Sequence, residues 1–398
     1  MERKTFRLAD GLKRMIYWLA LTIFSFSVAA IAYVYAGYPL LVYLVSRIRP
    51  RPVVKSPFEP FVTVLITAYN EEKDIAAKLE NTLLIDYPKE KTEILVVSDC
   101  SNDRTDEIVE SFAERGVKLY RQPERLGKTM AQNAAVIRAG GEIILFSDAT
   151  TMYQTDVLNE MLPSFSDASV GCVAGKLIYV DDSLSNVGKG AKSYWSYETF
   201  LKENESRACS LIGASGCLYA VRKAVYQPMY AEACSDFLIA TLIYEQGLRT
   251  IYEPRAVCTE ETNRHADKEM RMRVRVISQT FTDLWRNRKM MNPFRSGFFA
   301  VELISHKLLR YAVPVFLSLI FISSLALAFS SEIFAAVFAL QIVFYAVAFF
   351  GWLLERNGKK LGILAIPLYF VLANLASLIG FYKFLRGERY ARWEPIRT

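Results

Sequence analysis

Histidine is almost missing from this chain. Only His265 and His306 occur in 398 residues, which argues against a histidine-rich metal centre and against a Ser-His-Asp hydrolase. Cysteine is sparse too: Cys100, Cys172, Cys209, Cys217, Cys234 and Cys258 include no Cys-x-x-Cys pair. That spacing gives no zinc ribbon and no dithiol redox motif, and the six read as reduced thiols facing cytosol. Internal repeats and low-complexity tracts are lacking as well. Charge is missing from one long stretch, because Met15 to Val45 contains no Asp, Glu, Lys or Arg. That run exceeds the roughly 20 residues a bilayer requires. It is too long for a signal peptide and lacks the cleavage pattern.

Apolar residues are abundant, 52% beside 22% charged, and unevenly placed. The net charge of +7 suits anionic lipid surfaces and phosphorylated ligands. No nucleic-acid partner is expected, because the basic residues flank apolar runs instead of forming one stripe. Between those runs the pattern changes. Phe61 to Thr67, Glu93 to Ser98, Val117 to Tyr120 and the run from Ile143 read as short buried strands, each followed by a polar turn and a helical pattern. Such alternation predicts an α/β domain with a mainly parallel sheet and right-handed crossovers. Polar residues gather where the strands end: Asn70, Asp99, Lys128 and Asp148. Ligands of open α/β sheets bind beyond those ends. The set suits a nucleotide, with carboxylate and amide for a base edge, and a cation and metal for a diphosphate. Asp148 would hold a hard divalent cation or cap the next helix.

In order, Thr67-Ala68-Tyr69-Asn70-Glu71, Ser98-Asp99-Cys100-Ser101-Asn102-Asp103-Arg104-Thr105, Arg125-Leu126-Gly127-Lys128 with Asn133, and Ser147-Asp148-Ala149-Thr150 resemble the motifs of membrane-bound family-2 glycosyltransferases. The resemblance runs from about Pro60 to about Arg288 and takes in Gly213-Ala214-Ser215-Gly216 and Ser235-Asp236. It implies a Rossmann-like GT-A fold, an inverting mechanism and a nucleotide-sugar donor. Thr67, Tyr69, Glu71 and Asp99 would then hold the nucleoside, Lys128 the diphosphate, and Asp148 a Mg or Mn ion. Asp236 would be the catalytic base, and Gly213, Ala214 and Ser215 would approach the acceptor. Arg271, Arg273 and Arg275 are candidate phosphate contacts. The sequence also departs from the family. Its Asp-x-Asp reads Asp148-Ala149-Thr150, its Glu-Asp reads Ser235-Asp236, and the Gln-x-x-Arg-Trp signature of processive synthases is missing near Arg271.

The residues leave other readings open. Asp236 also fits a helix cap, Asp99 a turn aspartate, and Gly213–Gly216 a plain tight turn. Arg271, Arg273 and Arg275 alternate by two, so a helix fans them apart; lipid headgroups are their other expected partners. Tyr194, Trp195 and Tyr197 read as a sugar platform or as aromatic core. At the level of function, the alternatives are a processive polysaccharide synthase, a non-catalytic membrane scaffold that kept the fold, and a nucleotidyltransferase.

Four regions are expected. Residues 1–52 form an N-terminal transmembrane segment, kinked at Gly37-Tyr38-Pro39, with a basic linker. Residues 53–292 form the glycosyltransferase domain. Residues 293–310 form an interfacial amphipathic helix. Residues 311–398 carry about three spans: Tyr311–Phe329, Ile333–Leu354 and Leu361–Leu385. Ser330-Ser331-Glu332 has no positive charge, whereas Glu355-Arg356-Asn357-Gly358-Lys359-Lys360 is basic. The positive-inside rule therefore puts the catalytic domain in cytosol, with a bacterial inner membrane as the expected bilayer. Counting spans puts both basic termini outside, so their location stays open. The expected acceptor is membrane-associated, a lipid-linked saccharide or other saccharide, with a polyprenyl phosphate itself as the alternative.

Overall fold

The computed structural model describes residues 2–180, 187–261, 266–357, 359 and 361–392. These fall into two compact units: Val42–Ser183 with Tyr194–Leu303 and Gly380–Thr398, and Met1–Leu41 with Leu184–Ser193 and Ile304–Ile379. The side chains of Tyr194 and Trp195 and all of His265 lie outside the described residues.

The larger unit is built on one eight-stranded sheet. Its strands are β1 (Val62–Ala68), β2 (Thr92–Ser98), β3 (Val117–Arg121), β4 (Ile143–Asp148), β5 (Met152–Tyr153), β6 (Val170–Val180), β7 (Tyr219–Arg222) and β8 (Arg249–Glu261). Their order is β3-β2-β1-β4-β7-β6-β8-β5. The pairs β3-β2, β2-β1, β1-β4 and β6-β8 are parallel. Strand β7 runs antiparallel to β4 and β6, and β5 runs antiparallel to β8. The expected parallel α/β core is therefore present, extended into a mixed sheet by the later strands.

Every residue of β1 is buried. Val62, Val64, Ile66 and Ala68 face one apolar cluster with Ile75 and Leu79, while Leu65 faces the other with Ala131 and Ala135. Burial on both faces is why such a strand reads as a continuous apolar run instead of an alternating one. Burying each large aliphatic side chain contributes about 1.5–3 kcal/mol, so the central strands form a rigid platform under the site.

Four helices are long and apolar enough to cross a membrane: Gly11–Ile48, Phe298–Ala328, Glu332–Arg356 and Gly362–Leu385. The first stays helical through Gly37-Tyr38-Pro39 by adopting a π turn over Tyr33–Gly37. Wider i→i+5 turns of this kind absorb a local break in the hydrogen-bond ladder. The second is helical from Phe298 onward, with a π stretch at Leu303–Leu309 before Arg310–Ala328. Within the smaller unit Phe24 meets Phe334 edge-on at 5.1 Å, and the Tyr33 hydroxyl lies 2.9 Å from Ser305 Oγ.

Candidate active site

The chain visits β1, β2 and β3 in one direction across the sheet and then returns to place β4 on the other flank of β1. A reversal of this kind opens a crevice between the two strands at their carboxyl ends. Thr67 and Asp148 are paired in register there. Thr67 Oγ1 is buried and has no hydrogen-bond partner among the described residues.

The turns after β1 and β2 are locked together. Asn70 and Cys100 adopt left-handed backbone conformations, at φ 53° and 61°, which cost a non-glycine residue about 1–2 kcal/mol. Bonds between the turns offset that strain. Asn70 Oδ1 accepts from Asn102 N at 2.9 Å, Glu71 N donates to Thr105 Oγ1 at 2.8 Å, and Glu72 N donates to Asp103 Oδ2 at 3.1 Å. Asp103 also accepts from Thr105 N, and so braces the next helix entry.

Asp99 is fully buried and organises the third motif. Its carboxylate accepts from Gln122 Nε2 at 2.8 Å, from Leu126 N at 2.9 Å and from Gly127 N at 2.9 Å. Burial raises its pKa, and those three donors together with nearby Arg125 pull the other way. Arg125 lies 3.8 Å above the ring of Tyr69, a cation–π contact. Asp99 thus holds the loop that delivers Lys128, the first residue of the helix Lys128–Arg138.

Lys128 forms an ion pair with Asp148 Oδ1. Burial works against its charge, but Asp148 outweighs that and Asp236 adds to it, so its pKa stands above the ordinary lysine value. Arg275 converges on the same carboxylates. Burial lowers its pKa while Cys234, Asp148 and Asp236 oppose the fall. Its Nε is buried without a partner among the described residues. Of the three expected arginines, Arg275 stands beside both acids; Arg271 is exposed and Arg273 half-buried on the same helix, Ala266–Arg286. The arrangement sets two carboxylates and two cations within electrostatic reach of one another.

Asp236 stands in the first turn of the helix Ser235–Glu245, where its Oδ1 accepts from Phe237 N at 3.0 Å. The glycine turn packs directly on it. Ala214 N donates to the Asp236 carbonyl at 2.8 Å, and a Cβ added at Gly216 would sit 3.0 Å from Asp236 Oδ2. Glycine at 216 therefore keeps one face of that carboxylate open. Gly213 lies against Phe237, and Ser215 Oγ accepts from Lys202 Nζ at 2.9 Å.

Two buried groups at this site lie outside the motifs read from the sequence. Asp283 accepts from Cys234 N at 3.0 Å and from the Tyr230 hydroxyl, so it anchors the turn leading to Asp236. Burial pushes its carboxyl up to about 8 against those two donors. A carboxyl near 4 when unfolded and near 8 when folded penalises the native state once the unfolded chain ionises. Stability should therefore fall as pH rises from about 4 to about 8, and Asp283→Asn should flatten that slope in melting curves. A pH dependence unchanged by Asp283→Asn would contradict this.

Lys78 is the second. It is fully buried on the helix Ile75–Leu83, donates to the Thr151 carbonyl at 2.6 Å and lies 3.5 Å from the centre of the Tyr153 ring. Burial pushes its ammonium down to about 7, with Asp148 and the Cys217 and Cys258 thiols opposing. It fixes the turn that follows Asp148. The one available signal was a lysine inside the apolar stripe Ile75, Lys78, Leu79, Thr82.

A divalent cation fits this donor set in one way. Among the described residues no group of three or more His, Cys, Asp or Glu is placed to hold a metal ion. Asp148 is partly exposed, with Thr150 beside it bonded to Glu260 at 3.2 Å. Mg and Mn commonly bind through one or two carboxylates plus substrate phosphates and water. Asp148 suits that shared shell, not an all-protein cage.

Comparison with known proteins gives a consistent family. The family model for glycosyl transferase family 2 matches residues 63–229. A dolichyl-phosphate beta-glucosyltransferase of Trichomonas vaginalis is 36% identical over 120 residues, covering 28% of this chain and 36% of that protein. A poly-beta-1,6-N-acetyl-D-glucosamine synthase of Staphylococcus aureus is 26% identical over 250 residues, covering 61% of this chain and 57% of that one. The matches thus span about a third to just over half the length of these relatives. In structure, a mannosyltransferase of Pyrobaculum calidifontis, solved with GDP-mannose and Mn2+, superposes with a TM-score of 0.71 at 23% identity, covering 92% of this chain and 100% of that one. At that identity the likeness speaks for the fold. The ordered strand-end motifs, the crevice and the matched segment agree: residues 63–229 match the glycosyl transferase family 2 model, within a unit of GT-A fold flanked by candidate membrane helices.

Proposed function

We propose that this protein transfers a sugar, hexosyl or N-acetylhexosaminyl, from a nucleotide-diphosphate donor to a membrane-associated acceptor, with inversion at the anomeric carbon. The observation that carries this reading is the convergence of Lys128 and Arg275 on Asp148 and Asp236 at the crevice. Asp236 takes the proton of the acceptor hydroxyl as that oxygen attacks, which requires it within about 3 Å of the proton. The glycine turn at Gly213–Gly216 leaves room for the acceptor. Negative charge grows on the departing diphosphate, and the ammonium of Lys128 and the guanidinium of Arg275 stabilise it. A cation held by Asp148 would add Lewis-acid stabilisation of the same oxygens. The nucleoside rests against Thr67, Tyr69 and Glu71, with Asp99 holding the loop beneath.

The acceptor of the named glucosyltransferase relative is a lipid phosphate, and the named synthase makes a polymer. We favour addition of one or a few sugars to a lipid-linked saccharide, because the Gln-x-x-Arg-Trp signature is missing near Arg271. The catalytic unit faces cytosol at a bacterial inner membrane, following the charge of its loops. Sizing the product made with excess radiolabelled donor tests the acceptor reading. A single-step mass increase on a lipid acceptor supports it; a ladder running to high polymer would favour the processive alternative.

Asp99→Ala should strip the acceptor from the buried Gly127 N–H and the half-buried Leu126 N–H and loosen the loop carrying Lys128. Orphaned donors cost about 1–3 kcal/mol each. The donor KM should rise tenfold or more, with kcat at saturating donor changed little. Unchanged KM with a collapsed kcat would move Asp99 into the chemistry.

A further inference from the structure

The segment after the last apolar helix does not trail away from the larger unit. It turns back at Gly387, which has φ 76°. The Lys383 ammonium lies 2.7 Å from the Tyr390 hydroxyl and 3.2 Å from Glu388 Oε2. Gln279 Nε2, on the arginine-bearing helix, donates to the Tyr390 carbonyl at 2.8 Å. Phe281 meets Phe381 and Phe384 at 5.0 and 5.8 Å between ring centres. The next residue, Ala391, sits so tightly on Gly127 that any Cβ at 127 would overlap its carbonyl oxygen. Gly127 is the residue whose N–H donates to Asp99 and which precedes Lys128. The tail therefore rests on the backbone of the loop that presents the site's lysine, one helix turn from Arg275 (Gln279 is four residues on). Arg386, Arg389 and Arg392 punctuate it at every third residue. Arg389 is tied back to the Phe384 and Glu388 carbonyls, whereas Arg392, the next residue after Ala391, is exposed.

We propose that residues 386–392 form a strap that completes the donor's diphosphate subsite, seated on Gly127 and held by Gln279, with Arg392 supplying a further cation to the diphosphate. This rests on the proposed use of a nucleotide-diphosphate donor. A backbone-on-backbone seat needs glycine at 127. A strap that belongs to the site should also be held more firmly once the anion bridges Lys128 and Arg392.

The test uses the full chain in detergent with UDP and GDP, each with Mn2+, as probes. Three readouts are compared: nucleoside-diphosphate affinity, the rate of tryptic cleavage after Arg386, Arg389 and Arg392, and donor KM against kcat. The bound nucleotide should slow tail cleavage several-fold. Arg392→Ala should weaken nucleotide binding and raise donor KM about tenfold, the loss expected for one charge-assisted contact, without lowering the melting temperature. Gln279→Ala should speed tail cleavage in the absence of nucleotide, and it guards against a shortened chain that fails to fold. If the full chain binds nucleotide but Arg392→Ala and a chain ending at Arg386 bind it equally well, with cleavage indifferent to nucleotide, the strap is overturned and sugar transfer stands. If the full chain binds no nucleoside diphosphate at all, both are overturned.

Discussion

Asp236→Asn is expected to reduce sugar transfer by about three orders of magnitude, the upper part of the range for losing a positioned general base. Asparagine keeps the shape, the hydrogen bond from Phe237 N and the packing of Gly216, so the turn at the start of Ser235–Glu245 should survive. What it loses is the ability to take a proton. Nucleoside-diphosphate affinity should stay within about twofold, because the proposed phosphate contacts Lys128 and Arg275 are both kept and Lys128 retains its ion pair with Asp148. Rates measured under single-turnover conditions with saturating donor separate the two. Near-normal turnover by Asp236→Asn would mean that the aspartate only organises its helix turn. Transfer by the native protein that this change abolishes would also dispose of the scaffold alternative.

Asp148→Ala is expected to cost two or more orders of magnitude for a different reason. It removes the strand-end carboxylate proposed to share a cation with the diphosphate, and losing that cation's charge stabilisation would forfeit several kcal/mol in the transition state. It also strands the partly buried Lys128 without its partner. The second effect alone could tighten diphosphate binding, since the freed ammonium would pair with phosphate. Excess chelator separates the contributions, because it removes the cation from the native protein and leaves the Lys128–Asp148 pair whole. If the cation matters, chelated native protein should fall to the level of Asp148→Ala. Full activity in chelator would assign the charge stabilisation to Lys128 and Arg275 alone, in line with Thr150 standing where the family has a second carboxylate.

The strand-end residues were legible because they follow short apolar runs, and a buried parallel strand announces itself by composition. Asn70, Asp99, Lys128 and Asp148 were found that way, and the structure ties the turns that bear them together. The work Asp99 does in this fold was not legible. Its partners Gln122, Leu126 and Gly127 lie more than twenty residues on, and only the pairing of β2 with β3 brings them near. Which of Arg271, Arg273 and Arg275 turns inward depends on how their helix is rotated against Ser235–Glu245, a matter of packing that a spacing of two cannot decide. Asp283 and the tail seat on Gly127 were invisible for the same reason: each is a contact across the fold with no periodic pattern around it. The π turn at Tyr33–Gly37 shows the reverse case, where Gly37-Tyr38-Pro39 flagged a local disturbance and left its form open.

The measurement that bears most directly on the central claim is product release from purified full-length protein in detergent, given a panel of nucleotide-sugar donors, Mg or Mn, and a membrane-lipid extract as acceptor. The account predicts that at least one donor yields nucleoside diphosphate in step with sugar appearing on a lipid-extractable product, and that Asp236→Asn yields neither. Release of pyrophosphate in place of nucleoside diphosphate, or no turnover with any donor and acceptor, would contradict it.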